Sequence, residues 1–216
     1  MRFDLVIFDL DGTLIAHSEP IWKTLHRRLG SDPEQRRQLL SRGLSETISY
    51  EQWVAGDVDL LRQAGATRQG VAAIVAELTP TKGARELIDR LVEVGTKVAV
   101  VSGGIGLVVD LLLSDWPLDE VFVNRLRFDA RGRLVSGEAT PYDRGGKADA
   151  LEVLARRYGT VRQRVAFVGD GDNDRAIMAR AGYGIAWGPS APSSLVALAD
   201  CHVTSGDLSD LIPLLL

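Results

Sequence analysis

Two carboxylates one residue apart, Asp9 and Asp11, follow the apolar run Leu5 to Phe8, and Gly12-Thr13 breaks the pattern directly after them. A short continuous apolar run reads as a buried strand, and open parallel sheets gather ligands at the carboxyl ends of their strands. Charge delivered at that end suits metal-assisted phosphoryl transfer, in which one acid attacks and another moves a proton.

Three further stretches carry related chemistry. Ser102-Gly103-Gly104 follows the apolar residues Val100-Val101, so a hydroxyl and two glycines stand between a strand and a helix. Glycines let backbone approach a ligand closely and a helix N-terminus offers N–H groups to an anion, which makes this a phosphate seat or, on the bland reading, an ordinary turn. Asp143-Arg144-Gly145-Gly146-Lys147 places a lysine at a helix start, where the dipole disfavours a cation unless something anionic compensates; a solvated surface lysine is the bland alternative. Gly169-Asp170-Gly171-Asp172-Asn173-Asp174 gathers three acids and an amide after the apolar strand Val165 to Val168. A hard cation with oxygen ligands would relieve their repulsion, whereas an Asx-rich turn would need none.

The elements that must position these residues follow from periodicity. From Thr81 onward helices and strands alternate: a helix closed by Gly95, a strand over Lys97 to Val101, a helix over Gly106 to Leu113, a strand over Glu120 to Val123 and a helix over Lys147 to Tyr158. The strand Val165 to Val168, a helix from about Asp174 to Ala181, the strand Gly184 to Trp187, helical Ser193 to Leu198, the strand His202 to Thr204 and a helix from Leu208 complete the series. The fold class is therefore α/β, a doubly wound parallel sheet of Rossmann-like form. Arg125 to Gly137 departs from the rhythm and predicts a β-hairpin at a flap or edge.

Residues 15–79 read differently, as short helices with no strand between them. Ser18 caps the first, Gly30 ends it, Asp32-Pro33 opens a second that stops near Gly43, Ser49 and Gln52 form a capping box, and Thr67 to Leu78 is a fourth. This predicts an inserted helical cap, with 1–14 and 80–216 forming the core domain.

Composition narrows the class of function. The chain has 216 residues, 45% hydrophobic and 25% charged, enough to bury a substantial core. A formal charge of -4 argues against a nucleic-acid surface, which needs clustered Lys and Arg. Val98 to Leu113, the longest apolar region, holds Ser102, three glycines and Asp110 and falls short of a membrane span. One cysteine, Cys201, excludes an internal disulfide and reads as a buried structural thiol. With Asp4, Asp9 and Asp11 interrupting any signal-peptide pattern, cytoplasmic residence is expected.

Taken together, Asp9-Leu10-Asp11-Gly12-Thr13, Ser102, Lys147 and the Gly169 to Asp174 run resemble the four ordered motifs of the haloacid dehalogenase (HAD) superfamily. The likeness to phosphoserine phosphatases extends to Val101-Ser102-Gly103-Gly104 and Asn124-Arg125-Leu126 and covers most of the chain outside the cap. The resemblance implies a Mg²⁺-dependent phosphatase acting on a small phosphorylated metabolite through an aspartyl-phosphate intermediate. Asp9 would be the nucleophile and Asp11 the general acid and then base. Mg²⁺ would be held by Asp9, Asp170 and the Asp11 main-chain carbonyl, with Asp174 supporting that shell, while Ser102, Gly103, Lys147 and Asn173 would hold phosphate oxygens.

In such enzymes a cap Glu and a cap Arg take the charged ends of the amino acid. Here Ser18, with Glu19 adjacent, falls at the first position and Ala55 at the second, so the substrate is left open. Glu19 and Trp53 are the cap's specificity candidates among His17, Trp22, His26, Arg42 and Tyr50, most of which read as packing or surface; Trp22 in particular reads as core. A phosphotransferase or phosphomutase of the same superfamily, as well as a phosphoacceptor receiver domain, are the competing readings. The expected assembly is a monomer or homodimer.

Overall fold

The computed structural model describes residues 3–16 and 19–216. His17 and Ser18, the latter expected to cap the first cap helix, lie outside the described residues; Pro20 directly precedes that helix.

Strand β1 (Leu5–Phe8) is fully buried and pairs in parallel on both sides, with β4 (Lys97–Ile105) and β7 (Val165–Gly169). Chain order between them runs through the short β2 (Ile15–Ala16), helices α1 (Ile21–Leu29), α2 (Pro33–Leu44), α3 (Tyr50–Gln63) and α4 (Arg68–Val75), the short β3 (Thr79–Pro80) and α5 (Ala84–Glu93). After β4 come α6 (Gly106–Leu112), β5 (Glu120–Phe128), β6 (Leu134–Glu138) and α7 (Lys147–Arg157). After β7 come α8 (Arg175–Met178), β8 (Tyr183–Trp187), α9 (Ser193–Val196), β9 (Cys201–Val203) and α10 (Ile212–Leu215). The main sheet has seven strands in the order β6-β5-β4-β1-β7-β8-β9, and all its pairs are parallel except β5 with β6. The strand order reverses at β1, which opens a crevice beyond the carboxyl ends of β1 and β7.

Register places the chemistry at that crevice. Phe8 stands opposite Val100 on one side and Val168 on the other, so Asp9, Ser102 and Asp170 emerge at the same edge. Alternation fixes the two faces. Val6, Phe8, Val98, Val100, Ala166 and Val168 join α5 and the C-terminal leucines in one hydrophobic cluster, while Leu5, Ile7, Ala99, Val101, Val165 and Phe167 pack with Leu151 and Leu154 of α7 in another.

The helical insertion lies between β2 and β3, which pair antiparallel and bring its two ends together. Its apolar residues Ile21, Leu25, Val54, Val58, Leu61 and Ile74 belong to the first of those clusters, so the helices rest directly on the sheet side of the molecule. The expected local signals operate: Asp32 accepts from the N–H groups of Glu34 and Gln35, and Ser49 and Gln52 form a reciprocal capping box. The β5–β6 hairpin, at the sheet edge, is also tied to the cap, because Arg68 N–H donates to Gly132 O (2.7 Å) and Leu134 N–H to Ala66 O (3.0 Å).

Four details differ from the sequence reading. The insertion carries a two-residue strand at each end instead of none, since a pairing this short leaves no periodicity to read. The strand through Val101 does not stop there: it runs to Ile105 with a register shift against β5, and Ser102-Gly103-Gly104 form the irregularity, where side chains would crowd the bend. The helix expected to reach Ala181 is a tight turn over Asp172–Asp174 and only four residues of α8. Gly182 passes so close to Arg162 and Gln163 backbone that a Cβ would lie 2.4 Å from Arg162 O, and the chain must already be turning into β8. Cys201 is half-buried at the start of the edge strand β9 rather than enclosed.

Candidate active site

Lys147 opens α7 and is completely buried, a position a lysine occupies only when paired. Its Nζ donates to Asp9 Oδ1 (2.7 Å) and Asp174 Oδ1 (2.6 Å), both themselves buried. Burial alone would depress the ammonium pKa, but the carboxylates of Asp174 and Asp9 outweigh it and hold the pKa above the ordinary lysine value. The anionic compensation that a lysine at a helix start requires is thus supplied by the first and last acidic motifs.

Asp9, Asp170 and Asp174 each place a carboxylate oxygen within 4.8 Å of the others. Thr13 Oγ donates to Asp170 Oδ1 (2.7 Å), and Gly171 N–H donates to Asp174 Oδ2 (3.0 Å). Both oxygens of Asp174 are therefore engaged by protein donors, while those of Asp9 and Asp170 retain lone pairs. Burial, reinforced by the Asp9 charge, raises the carboxyl pKa of both Asp170 and Asp174 above the ordinary range. An all-oxygen, mutually repelling donor set, two of its three carboxylates buried and Asp170 half-buried, fits a hard divalent cation. Close approach at this point depends on Gly12, whose φ is +87° and whose Cβ, if present, would lie 2.2 Å from Asp170 Oδ2.

Asp11 stands apart from that group. Its Oδ2 accepts the Ile21 N–H at the start of α1 (3.0 Å), while Oδ1 is buried without a hydrogen-bond partner. Burial, with the neighbouring Asp9 charge and against the Ile21 hydrogen bond, pushes the carboxyl pKa up to about 7. Asp11 can therefore carry a proton at neutral pH.

The strand irregularity at Ser102 is held from three sides. Ser102 is buried, and its Oγ accepts the Gly104 N–H (3.1 Å). The Gly103 carbonyl accepts from Asn124 Nδ2 (2.6 Å) and from Trp22 Nε1 of α1 (2.8 Å). Asn124, fully buried on β5, also donates to Tyr50 Oη of α3 (2.7 Å) and accepts the Thr140 N–H (2.8 Å). Asn173 Nδ2 reaches Asp143 Oδ1 (3.2 Å), and a Cβ on Gly103 would strike that same Asp143 carboxylate.

A cavity of about 870 Å³ joins this edge of the sheet to the cap, with Asp9, Asp11, Ser102, Gly103, Asp170 and Asn173 on its core wall. Lys147 and Asp174 lie beneath it, completely buried. On the cap wall, Glu19 is engaged by Arg27 (2.6 Å), Lys23 (3.1 Å) and Thr24 (2.9 Å), and its carboxyl pKa is lowered to about 2, chiefly by Arg27. Trp53 lines the cavity and lies flat over Gly43 of α2, where a Cβ would meet the indole. Trp22, read as core, is instead half-buried at the cavity with its indole N–H on the Gly103 carbonyl.

Thr13 and Asp143 lie inside motifs whose roles fall on their neighbours, and Arg36, with Arg37, reads from the sequence as a solvated helix face, whereas the structure sets it against the cavity. Asn124 enters the sequence reading only through the resemblance, and His26 reads as packing or surface. Thr13 was readable as a hydroxyl beside two acids. Asp143, Arg36 and His26 line the cavity from separate elements, Asn124 supports it through the Gly103 carbonyl, and no local spacing announces them.

The family model for haloacid dehalogenase-like hydrolases matches residues 3–182. A phosphoserine phosphatase of Archaeoglobus fulgidus is 34% identical over 98% of this chain, which spans 59% of that relative's length. One of Methanocaldococcus jannaschii is 31% identical over 96% of this chain and 95% of its own. A solved substrate-bound phosphoserine phosphatase complex superposes with a TM-score of 0.81 at 28% identity, covering 100% of both chains. With the motifs at the crevice of a matching fold, the chain belongs to the haloacid dehalogenase-like hydrolase family.

Proposed function

We propose that this protein is a Mg²⁺-dependent phosphatase that hydrolyses small phosphomonoesters through an aspartyl-phosphate on Asp9, with residues 15–79 acting as a cap over the reaction. The observation that carries this reading is the Asp9–Lys147–Asp174 pairing beside a half-buried Asp11 whose pKa lies near neutrality. Lys147 holds the Asp9 carboxylate in one orientation through its Oδ1, leaving Oδ2 to attack. An Asp9 carboxylate oxygen forms a bond to phosphorus as the bond to the ester oxygen breaks, and Asp11 gives its proton to the departing alcohol. Asp11, now ionised, takes a proton from water as the water oxygen attacks phosphorus, releasing inorganic phosphate and restoring both aspartates. Ser102, the Gly103 amide, Lys147 and Asn173 orient the phosphate oxygens. Bound at Asp9, Asp170 and the Asp11 carbonyl, Mg²⁺ would neutralise charge between the attacking carboxylate and the phosphate. Cap helices α1 and α3 reach the phosphate seat through Trp22 and Tyr50, so cap closure and seat geometry are linked.

The names of the relatives make phosphoserine a first compound to assay, yet Ala55 brings no charge to the position expected of the cap arginine. The test is a phosphomonoester panel with Mg²⁺, beside EDTA and Asp9→Asn controls. Mg²⁺-dependent phosphate release that disappears in both controls supports the reading. Equal hydrolysis by Asp9→Asn contradicts it, and transfer to an acceptor alcohol without phosphate release would make the protein a phosphotransferase.

A further inference from the structure

The cap wall of the cavity carries one cation unlike the rest. Lys23, Arg27 and Arg37 line it with side chains 69%, 61% and 69% exposed, each paired with Glu19 or Glu34. Arg36 is only 16% exposed, and its Nε is ion-paired with Asp57 Oδ1 at 3.2 Å. Asp57 is buried on α3 and is itself held by His26 Nε2 (2.9 Å), whose Nδ1 meets Ser31 Oγ (2.9 Å). Asp57 anchors the guanidinium through Nε, while Nη1 is enclosed with no hydrogen-bond partner and the partly exposed side chain lines the cavity. An unmet donor on a buried guanidinium is costly unless an acceptor arrives, and the planar fork is shaped for a carboxylate or phosphate.

Resting on the phosphatase reading above, we infer that Arg36 is a specificity-determining anion subsite and that the substrate is a phosphomonoester with a second anionic group at its far end. Arg36 and Asp9 stand on different elements of the cavity wall. Arg36 sits on α2, which packs on α1 and α3, whereas Asp9 lies at the sheet edge. The cavity between them, about 870 Å³, is near the top of the ~300–1,000 Å³ range of drug-sized sites and is walled by Trp22, Tyr50, Trp53 and Leu40. The cavity thus has room between the two anions for a partly apolar body larger than a three-carbon acid. Asp57 acts as a positioning residue.

The experiment compares 4-carboxybenzyl phosphate with its methyl ester by kcat/KM, and the corresponding phosphonates by Kd, with p-xylylene bisphosphonate as the second-phosphate arm. The wild type should prefer a distal anion by about 10–100-fold in both readouts. The tighter of the carboxylate and bisphosphonate arms identifies the anion. Arg36→Gln should bring the preference to within about twofold, Arg36→Lys should keep part of it, and Asp57→Asn should weaken it; thermal unfolding of each variant shows that the fold is retained. Equal binding of acid and ester by the wild type, or an undiminished preference in folded Arg36→Gln, overturns the inference and leaves the phosphatase reading standing. Anion-selective phosphonate binding without turnover of any phosphomonoester would instead defeat the phosphatase reading.

Discussion

The two ends of the cavity are built on opposite principles. At the core end Lys147, Asp9 and Asp174 are buried together, and both partners of the lysine lie on elements that flank the sheet's reversal point. At the cap end Arg36 is paired through Nε with Asp57, which His26 holds in turn, and its Nη1 has no hydrogen-bond partner. The first arrangement is complete before substrate arrives, as expected where charge must be placed precisely for a reaction. The second is incomplete until a ligand supplies an acceptor. On the proposed reading, reaction chemistry is fixed in the sheet, and substrate choice is left to helices laid over it.

That contrast can be broken in graded steps. Asp9→Asn should lower kcat by about 10⁴-fold or more with the fold retained, because Asp174, the other carboxylate on Lys147, has both oxygens engaged by protein donors and lies beneath the cavity; steady-state kinetics and thermal unfolding check it. Lys147→Met should reduce both activity and stability, the latter by about 3–5 kcal/mol, since it leaves two buried carboxylates unpaired. Urea unfolding measures this, and an unchanged midpoint would mean the core end is not the closed arrangement described.

Cation binding should show the next largest effect. Metal-free, Asp170 and Asp174 have folded-state pKa values raised above the unfolded chain's, so their contribution to stability falls as pH rises through those values. Mg²⁺ needs the deprotonated carboxylates and should reverse this. At about 100 times its Kd it should raise the melting temperature by about 5–10 °C at pH 8 and clearly less at pH 5. Asn124→Ala, which releases the Gly103 carbonyl, Tyr50 and the Thr140 amide together, should cost about tenfold in kcat/KM and about 1–3 kcal/mol. At the small end, breaking the exposed Arg28–Glu77 pair on the outside of the cap should leave activity and melting temperature within error.

The same contrast explains what could be read from the chain alone. Asp9 and Asp11, Ser102, Lys147 and Asp170 were legible because each lies in a short contiguous motif beside an apolar strand, and parallel register then brings the strand ends together. The extension of β4 to Ile105 was not, because two glycines mark a turn and a strand irregularity alike. Arg36, Asp57 and His26 were illegible for another reason: they come from α2, α3 and α1 and have no shared period or spacing. Glu19 was readable as an acid near the cap entrance, but its neutralisation by Lys23 and Arg27 belongs to the folded helix surface.

The account stands on Asp9 as the atom donor to phosphorus. Rapid acid quench during turnover of a phosphomonoester with Mg²⁺, borohydride reduction of the acyl phosphate and peptide mass spectrometry would locate it. Homoserine at position 9, formed only with substrate present and absent in Asp9→Asn, is the predicted result. Homoserine at position 11, or turnover with no acyl phosphate trapped at any time point, would contradict it.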